Sequence, residues 1–160
     1  MKIILLATLL SNPLFSTQLG NITAFNEQNN EFEIQTSDGA ITKIIFYRSD
    51  IFRIWVGPDG IITDPAGDEE TPIVVYNGEP IEVNQSEEND YYKLDTDSFI
   101  LRIYKNPCTF SLYKKDNSIL LFEESIPIAY GDVSVQSINR NEDDYFYGCG
   151  MQNGHFCHND

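Results

Sequence analysis

The sequence predicts an all-β protein built as an antiparallel β-sandwich, and three observations carry that prediction. No window of its 160 residues holds an apolar pattern at helical spacing. Short stretches rich in Ile, Val, Phe, Tyr and Thr recur instead, punctuated by Gly, Pro, Asn and Asp. There are about nine such stretches, each offering one apolar face, so the core closes only when two sheets stack.

The chain opens with Lys2, an apolar run at 3–10 and a break at Ser11-Asn12-Pro13, the layout of an export leader. We expect this leader to occupy 1–17, to be cut near Thr17 or Gln18, and to leave 18–160 as the domain proper. Its apolar run is shorter than the ~20 residues a membrane span needs, so no membrane insertion is expected after its removal. Phe32, Ile34 and Thr36 alternate with Glu31, Glu33 and Gln35, and Ser37-Asp38-Gly39 then turns the chain into a second strand at 41–47. A strand at 51–56 is closed by Gly57-Pro58-Asp59-Gly60, where proline and glycine suit a tight turn and forbid a central strand.

A longer loop at 63–71 precedes Ile73-Val74-Val75-Tyr76, and Asn77-Gly78 is the strongest two-residue hairpin signal in the chain. Strands are then expected at 91–94, 99–104 and 109–113. Lys114-Lys115-Asp116-Asn117 turns into Ile119-Leu120-Leu121-Phe122, which the paired sheets are expected to bury with the rest. Val133 to Ile138 alternates cleanly, and Asn141-Glu142-Asp143-Asp144 separates it from a last strand at Tyr145-Phe146-Tyr147.

Composition excludes several functions. Lys and Arg number 10 against 25 Asp and Glu, a net charge of −15 that repels phosphate backbones and anionic headgroups, so no nucleic-acid partner is expected. The acidic residues sit in turn-like runs such as Asp68-Glu69-Glu70, which read as a solvated surface rather than calcium sites. Three cysteines, Cys108, Cys149 and Cys157, are too few for a disulfide scaffold, and the odd count leaves one thiol unpaired within the chain. Cys149 and Cys157 have the option of bridging, with free thiols the favoured state. Asn21-Ile22-Thr23 and Asn84-Gln85-Ser86 match the glycosylation triplet, a pattern that arises often by chance.

The chemistry concentrates at 145–160. Gly148, Gly150 and Gly154 give the backbone freedom there, with Tyr145, Tyr147 and Phe156 around them and Gln152 and Asn153 beside them. Aromatic plates receive the apolar face of a pyranose, and amides bond its hydroxyls. Tyr147, Gly148, Gly150, Gln152 and Asn153 are therefore the candidate substrate-binding residues. For the aromatic run 145–147 strand packing competes with that reading, and for Gln152 and Asn153 the two stay open. A chain stopping inside such a loop is expected to be the front piece of something larger, with the sandwich incomplete at its C-terminal end.

Cys149, His155, Cys157 and His158 offer soft ligands, but no Cys-x-x-Cys pair sets zinc spacing, so no metal site and no cofactor are expected. No hydrolase nucleophile motif, metalloprotease motif or phosphate-binding glycine loop is present. Asp64, in Thr63-Asp64-Pro65, reads as a surface turn rather than a general acid. Trp55, the single tryptophan, reads as a core or inter-domain contact.

The run Phe146-Tyr147-Gly148-Cys149-Gly150-Met151-Gln152-Asn153-Gly154 resembles the Phe-Tyr-Gly-x-Gly segment near the end of the N-terminal sandwich in glycoside hydrolase family 31. The strands at 52–56, 97–104 and 107–113, with the turn into Leu120-Leu121-Phe122, are similar in order and spacing. The resemblance implies a galactose-mutarotase-like sandwich packed beside a (β/α)₈ barrel that carries two catalytic aspartates, neither of which this chain contains. It further implies a parent enzyme, an exported periplasmic or extracellular α-glycosidase, that hydrolyses its carbohydrate substrate with retention. Cys149 and the Gln152-Asn153 pair depart from other branches of the family. The rival reading is a free-standing carbohydrate-binding or adhesion sandwich.

Overall fold

The computed structural model describes residues 16–28, 31–62 and 81–144, and every regular element among them is a β-strand. In chain order these are β1 (Ser16–Gln18), β2 (Ile22–Gln28), β3 (Glu31–Thr36), β4 (Ile41–Arg48), β5 (Ile51–Gly57), β6 (Asn84–Glu87), β7 (Tyr91–Asp95), β8 (Phe99–Lys105), β9 (Cys108–Lys114), β10 (Leu120–Gly131) and β11 (Val135–Ile138). They form a four-stranded sheet, β2-β3-β4-β5, and a seven-stranded sheet, β1-β10-β9-β8-β7-β6, with β11 also on β10. All neighbouring strands are antiparallel, as the sequence predicts.

Alternation builds the core. Phe32 and Ile34 of β3 and Ile44 and Phe46 of β4 turn inward at every second position, while the residues between them face outward. The other sheet answers with Leu94, Leu101, Ile103 and Phe110, each fully buried. Aromatic rings sew the seam between the sheets: Phe25 stacks on Tyr92 at 4.1 Å, and Phe52 and Phe46 meet Phe99 at 5.1 and 6.1 Å between centroids. The predicted turns form where the chain needs left-handed backbone. Gly39 sits at φ 91° between Thr36 and Ala40, Gly60 at φ 72° donates to the Gly57 carbonyl at 3.3 Å, and Asn117 at φ 57° closes β9 into β10.

The structure adds strands that the pattern does not announce. β6 is the polar run Asn84-Gln85-Ser86-Glu87, held by its pairing with β7 rather than by apolar residues of its own. β1 begins at Ser16 and pairs Ser16, Thr17 and Gln18 with Gly131, Tyr130 and Ala129, so a cut at Thr17 would fall inside a paired strand.

One expectation is corrected. Ile119, Leu120 and Leu121 are not buried; they remain 43–49% exposed. The cause lies in β10, which pairs with β9 only from Leu120 to Glu123 and then leaves it for β11 and β1. Pro127 stands where the β10–β11 register shifts between Ile126 and Ala129, as befits a residue with no N–H for the ladder. Val133, Val135 and Ile138 are likewise exposed, and among the described residues β11 pairs with β10 alone. The expected strand at 73–76, the Asn77-Gly78 hairpin, the 63–71 loop and the strand at 145–147 lie outside the described residues.

At one end of the sandwich the β3–β4 turn locks onto the other sheet. Asp38 accepts the Gly20 amide at 2.6 Å through Oδ1 and a short bond from the Tyr130 hydroxyl through Oδ2. Burial pulls the Asp38 carboxyl upward, but the Tyr130 hydroxyl and the Gly20 amide outweigh it and hold it below the usual aspartate value. Asp38→Ala is expected to lower stability by ~1–3 kcal/mol, leaving a charge-assisted pair of donors unanswered. Because the folded value is depressed, this contribution is present near neutrality and lost as pH falls through it. Urea midpoints of wild type and variant should therefore converge in acid.

Candidate functional site

The described part of the chain holds its reactive groups in fixed, mostly internal positions. Where β10 leaves β9, Glu124 fills the gap: it is 5% exposed, accepts the Phe110 backbone N–H at 3.0 Å through Oε2 and takes the Gln136 amide at 2.7 Å through Oε1. A single carboxyl thus ties β9, β10 and β11 and answers a strand N–H that would otherwise be buried unpaired. Burial pushes its pKa up, against the Gln136 and Phe110 hydrogen bonds. Both oxygens are committed to structure.

Cys108 lies beside it, fully buried and free of any disulfide, with its amide on the Gly20 carbonyl at 2.9 Å. Burial, with Glu124 and Asp38 adding negative charge, drives the thiol to about 12, so it stays protonated and inert. Cys149 and Cys157 lie outside the described residues. Among the described residues no cluster of His, Cys, Asp and Glu could hold a metal ion.

The solvent side of the seven-stranded sheet carries more chemistry than alternation alone foretells. Tyr91 faces Tyr104 across the β7–β8 pair at 5.6 Å between ring centroids, and Lys93 faces Arg102. The Arg102 guanidinium lies 4.2 Å from the Tyr113 ring and 4.9 Å from that of Tyr91, while its Nη2 donates to Asn117 Oδ1 at 2.7 Å. Beneath it the Ser111 hydroxyl, opposite Arg102 in register, is buried without a partner among the described residues. The pattern Tyr-x-Lys-x-Asp on β7 signals an outward polar face, but the placing of Arg102 between Tyr91 and Tyr113 depends on cross-strand register, which the sequence does not display.

On the other sheet Trp55 is not a core residue. Phe52, Ile54 and Val56 take the inward positions of β5, and Trp55 stays half-buried on the outer face with the Arg53 guanidinium 3.9 Å above its ring. Of the two expected roles, core or inter-domain contact, the core one is thus replaced by an outward cation–π pair. Asp64 and the candidate substrate-binding residues Tyr147, Gly148, Gly150, Gln152 and Asn153 all lie outside the described residues.

The family model described as the glycosyl hydrolase 31 N-terminal galactose mutarotase-like domain matches residues 41–160, from the start of β4 onward. The chain belongs to that domain family. The galactose mutarotase-like match includes the whole glycine segment Phe146 to Gly154. Solved structures share the fold. A family 31 dextranase of Flavobacterium johnsoniae, complexed with glucose, is 20% identical with a TM-score of 0.77, covering 88% of this chain and 18% of that one. An uncharacterised protein of Listeria monocytogenes is 15% identical with a TM-score of 0.68, covering 89% and 14%. A cycloalternan-forming enzyme of the same organism, in complex with a pentasaccharide substrate, is 14% identical with a TM-score of 0.57, covering 72% and 10%. This chain therefore spans less than a fifth of the length of each of these proteins. No curated protein matches it significantly.

The described sandwich is thus a galactose mutarotase-like domain. Its buried carboxyls, Glu124 and Asp38, stitch strands together, and its outer faces carry the aromatic and cationic groups.

Proposed function

We propose that this chain is the N-terminal sandwich of an exported retaining α-glycosidase, and that its glycine segment helps to wall the sugar pocket while a catalytic barrel supplies the two carboxylates. The observation that carries the proposal is the family match over 41–160, which takes in Tyr147, Gly148, Gly150, Gln152 and Asn153. In this reading Gln152 and Asn153 hydrogen-bond sugar hydroxyls, and Tyr147 with the glycines shapes the wall. The leader delivers the protein to the periplasm or beyond. The pairing of Ser16 to Gln18 with β10 favours a cut before Ser16, which N-terminal sequencing of the exported product checks.

The decisive assay is hydrolysis of nitrophenyl α-glycosides by the intact protein, with the anomer of the first product read by NMR. Retention is expected. Gln152→Ala and Asn153→Ala should each raise KM by up to about tenfold, the equivalent of one hydrogen bond of ~0.5–1.5 kcal/mol. Absence of hydrolysis across the α-glycoside panel, or an inverted product, would remove the proposal.

A further inference from the structure

On the face of the seven-stranded sheet turned away from the core, one transverse row gathers polar atoms that the fold leaves unpaired. In register it runs Ser86 of β6, Lys93 of β7, Arg102 of β8, Ser111 of β9 and Glu123 of β10. Among the described residues four side-chain polar atoms are buried without a hydrogen-bond partner, and three of them lie in this row: Ser86 Oγ, Arg102 Nε and Ser111 Oγ. Ser111 itself is only 1% exposed. Each such group has given up water with nothing in return, so three in one row call for a common partner.

The row also sets like charges against each other. Lys93 and Arg102 stand directly opposite across the β7–β8 pair, an arrangement that repels. Lys93 reaches Asp95 only at 4.0 Å, and Asp95 is held more closely by Lys115 at 2.5 Å. Arg102 donates to the neutral amide of Asn117 rather than to a carboxylate. Glu123, at the far end of the row beside Ser111, takes the Asn139 amide at 3.1 Å. With Asp95 and Lys115 cancelling, two cations face one carboxylate, a local positive excess in a chain that carries −15 overall.

One kind of group answers all of this at once. An oxyanion accepts from the Arg102 Nε–H and the Ser111 hydroxyl, and its charge turns the repulsion of Lys93 and Arg102 into a shared attraction. A cation would be repelled, and a neutral acceptor would leave the repulsion in place. The tyrosines set the approach. The Arg102 guanidinium carbon lies 4.9 Å from the Tyr91 ring centre and 4.2 Å from that of Tyr113, so the in-plane N–H edge is what remains for an acceptor. Tyr91, Arg102 and Tyr113 are each only partly buried, and turning these side chains admits an anion to the donors beneath without moving a strand. The overall negative charge opposes any anion, but charges more than ~8 Å away are largely screened at physiological salt, whereas the donors of the row act at contact.

We propose that this row binds an oxyanion, the phosphate or carboxylate group of a small molecule, held by Lys93 and Arg102 with the Ser111 hydroxyl beneath. Ser86, opposite Lys93, supplies a further hydroxyl. The site goes beyond the glycosidase reading and does not rest on it, for it stands on the row alone. It also carries a signature in stability. Without the anion the Ser111 hydroxyl is buried unpaired and Lys93 repels Arg102, so removing either group relieves the empty protein while it weakens the ligand.

The test is equilibrium dialysis of the intact protein against radiolabelled inorganic phosphate and, separately, acetate, with ionic strength held constant by chloride. At least one of the two should bind saturably at one site per chain. Phosphate alone makes the group a phosphate, acetate alone makes it a carboxylate, and binding of both supports the shared chemistry. Arg102→Gln and, independently, Lys93→Gln should weaken that binding at least fivefold, and Ser111→Ala at least twofold. Thermal melts without the anion should show Lys93→Gln and Ser111→Ala folded and melting no lower than wild type. Absence of saturable binding, displacement by chloride at equal concentration, or unchanged binding in the folded variants would each overturn the site. A Ser111→Ala protein melting well below wild type would overturn it too, because the hydroxyl would then already be paired within the fold.

Discussion

Replacing Phe32 with alanine is expected to lower the free energy of unfolding by ~3–5 kcal/mol, the range for a buried phenylalanine whose cavity cannot collapse. Phe32 is fully buried near the start of β3 and touches two rings, Phe46 edge-on at 5.9 Å and Phe25 at 6.0 Å. Phe46 in turn leans on Phe99 of the opposite sheet, so the void opens in the seam that joins the two layers. A domain with ~5–15 kcal/mol in total has little left after such a loss. Phe25 is the internal control, being only partly buried and stacked on Tyr92 at the rim. Urea denaturation should therefore show a clearly larger fall in midpoint for Phe32→Ala than for Phe25→Ala. Equal falls would mean that the seam is not where the structure puts it.

Glu124→Ala is expected to be the most damaging polar substitution. It leaves the buried Phe110 N–H without its acceptor, at ~1–3 kcal/mol, and releases the Gln136 amide, which sits on an exposed residue and can turn to water. Glu124→Gln should behave differently. Its amide oxygen can take the Phe110 N–H, and Gln136 can rotate its own amide to accept rather than donate, so both contacts survive.

The difference appears in the pH profile. Burial raises the folded pKa of Glu124 above its unfolded value, so its stability contribution is fully present below the unfolded value and is lost as pH rises through the folded one. Glu124→Gln should remove that decline and overtake wild type at neutral pH. Asp38, with its lowered value, still erodes stability on the acid side of both proteins. Stability curves of wild type and Glu124→Gln that ran parallel across that window would show that Glu124 titrates alike in the folded and unfolded states.

Much of the fold was legible because most strands advertise themselves locally. β3, β4 and β5 alternate within a few residues, and the turns after β3 and β5 carry Gly39 and Gly60, whose positive φ angles those turns require. β6 and β1 escaped notice for the opposite reason. Neither has an apolar face, and each exists because a neighbouring strand offers it a ladder. Leu120 and Leu121 misled for a related one: hydrophobicity signals a strand but not whether another layer covers it, and β10 changes partners at Glu124.

The candidate site divides along the same line. The glycine segment with Gln152 and Asn153 was visible as a string of residues, and the family match falls across it. The meeting of Asp50, Ser98 and the Lys114–Leu121 hairpin was not visible, since it joins three turns that are separate in the chain.

What the chain determined unaided is its secondary structure and kinship: strand periodicity, turn residues and one specific glycine motif are written in neighbours, and neighbours suffice to read them. Only the tertiary structure decided that Trp55 faces outward under Arg53, that Tyr91 and Tyr113 flank Arg102 with Tyr104 against Tyr91, and that Glu124 rather than a backbone carbonyl answers Phe110. Each of these depends on cross-strand register and on which layer covers which face, and both follow from long-range pairing that no local pattern encodes.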